Sequence, residues 1–183
     1  MLLMSDYKNG WDKYEWRSKQ EKEHSKPHAF PKCDKWCGNI ALNQASQLLL
    51  VTEQGLGDTL QFMRYATALR KKGLSVSFAA QSKLHSLIQT SEIDPSPLTP
   101  EQANQVSEVT WIPLLSVPRH LNVSPRDPIV TGAYIKSSDE LNDKWKRILS
   151  AEANLTIGIN WRGNRGDTRR TSRDIPTHIF KEI

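Results

Sequence analysis

The feature that most constrains this chain is a short apolar run followed at once by a glycine turn and a helical pattern. Leu48-Leu49-Leu50-Val51-Thr52 is bounded by turn-type residues and suits a strand buried on both faces, as in a parallel sheet. Gly55-Leu56-Gly57 then forms a tight loop. The spacing predicts a helix over 58–72, with Phe62, Met63, Ala66 and Leu69 as its apolar stripe. Lys71-Lys72-Gly73 supplies a basic last turn and a glycine stop. Leu74-Ser75-Val76-Ser77-Phe78 alternates as a second strand, and 82–90 reads as a second helix with Leu84, Leu87 and Ile88 inward. Strand, helix, strand is a βαβ unit, which makes the fold class α/β with a Rossmann-like parallel sheet.

On the amino-terminal side, residues 5–25 read as a helix, with Tyr7, Trp11 and Tyr14 at i, i+4, i+7 on one face. Pro27, Pro31 and Gly38 mark 26–47 as a linker. On the carboxyl-terminal side, 91–105 is a Pro-rich loop, 106–111 a third strand, and 112–129 is broken by four prolines. Residues 139–150 form an amphipathic helix with Leu141, Trp145, Ile148 and Leu149 together. Residues 155–161 read as a final strand that opens a second domain.

No apolar run approaches the roughly 20 residues of a membrane helix, and Met1-Leu2-Leu3-Met4 is too short for a signal-peptide core. The expected location is therefore the cytoplasm, where a Cys33–Cys37 disulfide is disfavoured. The net charge of +5 suits anionic ligands. Much of the excess gathers at Arg162, Arg165, Arg169, Arg170 and Arg173.

The sharpest motif is Glu53-Gln54-Gly55-Leu56-Gly57-Asp58-Thr59, at a strand's carboxyl end, where open α/β sheets bind ligands. The helix start offers free N–H groups to an anion or polar ligand. A dinucleotide fingerprint needs a third small residue where Leu60 stands, and no acid follows the second strand at Ala79-Ala80-Gln81. No Gly-Lys-Ser/Thr exists for a P-loop. Asp58 has two readings: an N-cap with Gln61 at N3, or a general base at the cleft edge. The roles compete, because a carboxylate bonded to backbone N–H groups is a weaker base. His24, His28, Cys33 and Cys37 have zinc-type donors, but their spacing is atypical and no metal is assigned.

Residues 48–65 resemble the Glu-Gln-Gly-Leu-Gly-Asp-Thr segment of bacterial tetratricopeptide-repeat proteins that carry a C-terminal glycosyltransferase region. That region is similar to the heptosyltransferase and O-linked N-acetylglucosamine transferase families. Gly10-Trp11-Asp12-Lys13-Tyr14-Glu15-Trp16-Arg17 looks like the closing helix of a last repeat. Phe30-Pro31 with Trp36-Cys37-Gly38 looks like the linker before the first strand. Ile157-Gly158-Ile159-Asn160-Trp161-Arg162-Gly163-Asn164 and Arg173-Asp174-Ile175-Pro176 look like the entry to the second domain, with Asp174 where the family has serine.

The resemblance implies a GT-B fold. A repeat-derived helix would span 1–25 and a linker 26–47. The first Rossmann-like domain would cover 48–150, and an incomplete nucleotide-sugar domain 151–183. It implies Asp58 as catalytic base, with Glu53, Gln54, Gly55, Gly57, Gln61 and Arg64 around the acceptor. Arg162, Asn164, Arg170 and Arg173 would meet the donor diphosphate. The donor would be a nucleotide sugar, with no cofactor or metal. The acceptor would be a protein or glycan, and a second chain or second copy would complete the donor site. The rival expectation is a non-catalytic remnant or protein-binding module. A nucleic-acid binder acting through 162–173 is disfavoured, because no aromatic beyond Trp161 is interleaved there.

Overall fold

A computed structural model describes residues 2–20, 25–37, 47–152, 154–159 and 175–182. It divides into two units, Met1–Ser138 and Asp139–Ile183. The division falls before the 139–150 helix, whereas the sequence put the first domain's end after it.

The first unit is mixed α/β. It is built on a three-stranded sheet, β1 Gln47–Val51, β2 Ser75–Ala79 and β3 Thr110–Pro113, in the order β2-β1-β3 with both pairings parallel. β1 is central: Leu50 lies between Phe78 and Ile112. Its unbroken apolar run is used on both faces. Leu48 and Leu50 join Met63, Ala66, Leu69, Phe78 and Ile88 in the larger core, while Leu49 and Val51 join Ala29, Ala103 and Trp111 in the smaller. The helices are α1 Tyr7–Tyr14, α2 Leu56–Phe62, α3 Tyr65–Lys71, α4 His85–Thr90, α5 Pro100–Ala103 and α6 Val117–Leu121.

The helix expected over 58–72 begins earlier and is interrupted. α2 starts at Leu56, and α3 restarts at Tyr65. The break has a specific cause. The Leu60 carbonyl accepts from the Tyr134 hydroxyl (2.8 Å) and the Gln61 carbonyl from Arg64 Nε (2.7 Å), so side chains take acceptors that a continuing helix would use. The apolar stripe survives the break, with Phe62, Met63, Ala66 and Leu69 all buried.

The third strand sits at 110–113 rather than 106–111, because Val106 ends the turn after α5, its N–H bonded to Ala103. That helix lies inside the expected loop. It is started by a capping box: Thr99 Oγ1 accepts from Gln102 N, and Gln102 Oε1 accepts from Thr99 N. The expected amino-terminal helix ends at Tyr14 and continues as a 3-10 turn, Glu15–Lys19.

The segment read as a linker is, in its described part 26–37, laid against the sheet. Trp111 N donates to Asp34 O (3.1 Å) and Trp36 N to Trp111 O (2.8 Å), which covers the outer edge of β3. On the other edge Leu98 N donates to Phe78 O (2.8 Å), Ala80 N to Leu98 O (3.0 Å), and buried Asp94 accepts from Phe78 N (2.6 Å).

The second unit contains α7, Asp139–Ser150, at the expected bounds, with Asp139 and Glu140 in its first turn and Arg147 in its last. The expected strand at 155–161 is not formed over 155–159, and Leu155 is 89% exposed. A strand satisfies its backbone only against a neighbour, and none pairs with it among the described residues.

Leu50→Ala is expected to cost about 2–5 kcal/mol in urea unfolding, and Ile157→Ala about 0.5 kcal/mol or less. Equal losses would contradict the division between a packed sheet and an exposed carboxyl-terminal stretch.

Candidate functional site

The carboxyl ends of the three strands carry a connected set of buried and half-buried polar groups. β1 runs into Thr52 and Glu53, both fully buried, and the chain turns at Gln54. The left-handed residue of that turn is Gln54 (φ +64°) rather than a glycine; Gly55 is extended, at φ −91°.

Glu53 is 1% exposed and faces Arg17, 6% exposed, in a two-pronged pair: Nε to Oε2 at 3.0 Å and Nη2 to Oε1 at 2.8 Å. Arg17 Nη2 also donates to Ser116 Oγ (2.7 Å), and Nη1 to Glu15 Oε1 (2.9 Å) and Tyr14 O (3.1 Å). Leu115 N adds a third donor to Glu53, at 3.1 Å. Burial works against the guanidinium's charge. The hydrogen bonds and charges of Glu53 and Glu15 outweigh it and hold Arg17 above its ordinary pKa. The strand order makes the gap between β1 and β3 the switch point, the usual ligand crevice of an open α/β sheet. Here Arg17 fills it. The resemblance put Glu53 among the acceptor groups; its burial and partners make it framework.

Asp58 stands at the third position of α2. Its Oδ2 accepts from Gly55 N at 2.9 Å, so Gly55 is the N-cap and Asp58 reaches back to it. This corrects the expectation of Asp58 as N-cap with Gln61 at N3. Glycine has no side chain to complete a capping box, so only the reach-back arm exists. A Cβ at Gly55 would lie 3.2 Å from Asp58 Oδ2, so the glycine leaves that carboxylate room. Gly57 and Gln61 are exposed on the same helix start. Arg64 points elsewhere: Nη2 donates to the Tyr134 hydroxyl (3.1 Å) with the guanidinium 4.8 Å from that ring's centre, so it serves the fold.

Spacing missed Tyr14, which was read only as part of a helix face. Its hydroxyl accepts from Gln54 Nε2 at 3.3 Å. Burial pushes the phenol's pKa up, against the Gln54 bond and Arg17, and the Glu53 and Asp58 carboxylates add to the rise. It therefore remains a protonated donor within the field of Asp58. Thr59 Oγ1 donates to Gln81 Oε1 (3.2 Å), which ties the start of α2 to the end of β2.

Both ring nitrogens of His28 are engaged, Nδ1 with Thr52 Oγ1 (3.0 Å) and Nε2 with Gln54 O (3.1 Å). The carbonyl requires the proton on Nε2, so Nδ1 accepts from the threonine. Cys33 and Cys37 are free thiols, and His24 lies outside the described residues. So do Arg162, Asn164, Arg170 and Arg173. No described helix is long and apolar enough to cross a membrane.

No protein-family model, curated protein or solved structure matches this chain. Fold and site define a mixed α/β unit with a parallel sheet and a polar constellation of Tyr14, Gln54 and Asp58 at its carboxyl edge.

Removing one partner of the buried pair, as in Arg17→Met or Glu53→Gln, is expected to cost about 3–5 kcal/mol. The double variant Arg17→Met/Glu53→Leu should recover much of that loss, measured as a double-mutant cycle in urea. Additive losses would mean that the two residues act separately.

Acid should weaken the fold through two histidines. His120 packs against Trp36 (ring centres 3.8 Å apart), and burial, aided by Arg119, lowers its pKa to about 4. His28 is lowered too, by burial. Both stay neutral where their unfolded counterparts take up protons. Their contribution is full above about pH 6.5 and is lost as pH falls toward 4. His120→Gln should flatten this loss by about 1 kcal/mol, a figure reduced for its partial exposure. An unchanged pH profile of the unfolding midpoint would remove His120 from the account.

Proposed function

We propose that the sheet-bearing unit is the acceptor-side half of a nucleotide-sugar-dependent transferase of GT-B type. The reading rests on the resemblance of residues 48–65. The observation that carries it is Asp58 at the mouth of α2, directly beyond the carboxyl end of the central strand. One carboxylate oxygen is committed to Gly55 N, which leaves Oδ1 for a substrate. In this reading an acceptor hydroxyl attacks the anomeric carbon of a hexosyl or N-acetylhexosaminyl donor and gives its proton to Asp58. The nucleoside diphosphate departs toward a second domain, with Arg162, Arg170 and Arg173 offsetting its charge. Tyr14 and Gln54 hold the acceptor beside Asp58.

Saturation-transfer NMR of the chain with a panel of oligosaccharides and Ser/Thr peptides tests the acceptor side. At least one acceptor should bind, at least about fivefold more weakly to Asp58→Asn and with unchanged affinity for Arg173→Ala. With the donor half supplied, Asp58→Asn should lower kcat by about 10²–10⁴-fold. No acceptor signal, or signals indifferent to Asp58→Asn, would overturn the reading.

A protein-binding module without catalysis is the second reading. It is favoured by the filled crevice between β1 and β3, and by Trp16 and Phe30, which lie 62% and 58% exposed on the amino-terminal segments.

A further inference from the structure

A cavity in the first unit lies away from Asp58, near the start of β2. It measures about 610 Å³ and is bounded by the last turn of α3, the turn after α4 and the segment 129–136. That volume is within the roughly 300–1,000 Å³ of small-molecule sites. Ala68, Ile93, Ile129 and Val130 line it and belong to, or pack against, the larger core.

Its rim is cationic. Lys71, Lys72 and Lys136 line it against Glu92 alone. Lys136 is already paired with Glu92, so the excess rests on Lys71 and Lys72. Neither has an ion-pair partner among the described residues. Helix capping is the plainer reason for two lysines here, but it does not use up their charge. The end of α3 is already closed by Lys72 N to Leu69 O (3.0 Å) and Gly73 N to Arg70 O (2.8 Å). A helix end amounts to about half a negative charge, against two full positive ones.

The segment over the cavity is anchored at both ends and stands off between. Ile129, a β-branched residue at φ +66°, packs at one end. At the other, Tyr134 is bonded to Leu60, and Lys136 N donates to Ser91 Oγ (3.0 Å). Thr131, Gly132 and Ala133 between them are exposed, and a Cβ on Gly132 would meet nothing within 4 Å.

We infer that this cavity binds a small organic anion with an apolar body, of the aryl-phosphate kind. Its body lies on Ile129 and Val130 beneath the 131–133 arch, and its charged head meets Lys71 and Lys72. The site is separate from the Asp58 mouth and does not depend on the transferase reading.

The probe is 1-naphthyl phosphate, titrated by calorimetry into the whole 183-residue chain at low salt. A Kd on the order of 100 μM or tighter is expected, with 1-naphthol and inorganic phosphate each at least about tenfold weaker. Lys71→Gln/Lys72→Gln should weaken the probe about tenfold or more, with an unchanged unfolding midpoint. Because both side chains lie on the surface, that variant tests binding rather than folding. Arg165→Gln/Arg169→Gln should leave the affinity alone. Binding no tighter than that of inorganic phosphate would overturn the inference. So would affinity that survives the lysine variant, including affinity lost instead with the arginines.

Discussion

The Arg17–Glu53 pair is the constraint on which the first unit turns. Burying two full charges is expensive unless every donor and acceptor finds a partner. Here the guanidinium bonds to Glu53, Glu15, Ser116 and the Tyr14 carbonyl, while the Leu115 amide adds a third bond to Glu53. Among the described residues no buried side-chain nitrogen or oxygen is left unpaired. The network joins three distant stretches: the turn after α1, the end of β1 and the turn after β3. The amino-terminal segment is thus part of the sheet's carboxyl edge and cannot be treated as an appendage to it.

That placement decides what the edge can offer a ligand. The β1–β3 crevice is closed by the chain itself. The polar groups that remain lie around the start of α2: Asp58, Gln54, the Tyr14 hydroxyl and the Thr59–Gln81 contact. A small change in the first turn follows as well. Because Gln54 takes the left-handed conformation, α2 starts at Leu56 and turns Asp58 back onto Gly55. The carboxylate is a helix-start partner and a mouth residue at once.

What was legible in the sequence was what depends on local pattern. The Leu48–Val51 run announced a strand buried on both faces, and Leu141, Trp145, Ile148 and Leu149 announced a helix whose bounds agree. The break between α2 and α3 was hidden because one of its causes, Tyr134, comes from 74 residues away. Glu53 was misread for the same reason: it sits in a loop motif that suggests ligand contact, yet its partner Arg17 lies 36 residues earlier. α5 was legible in principle, since Thr99-Pro100-Glu101-Gln102 is a capping box, but the surrounding prolines concealed it. The final strand failed for the opposite reason. Its apolar pattern is real, but a strand is a property of a pair.

The covering of both sheet edges has a consequence for the molecule in a crowd. A parallel sheet of three short strands would ordinarily present two rows of unpaired amides and carbonyls, a template on which another copy could lay its own strand. Here Asp34 and Trp36 occupy one row, and Asp94 and Leu98 the other. The Asp94 carboxylate at the amide of Phe78 is an acceptor that no incoming backbone can displace without stranding a buried charge. The β-rich centre is thereby closed to runaway polymerisation, and association of the first unit with other chains is left to its helices and loops.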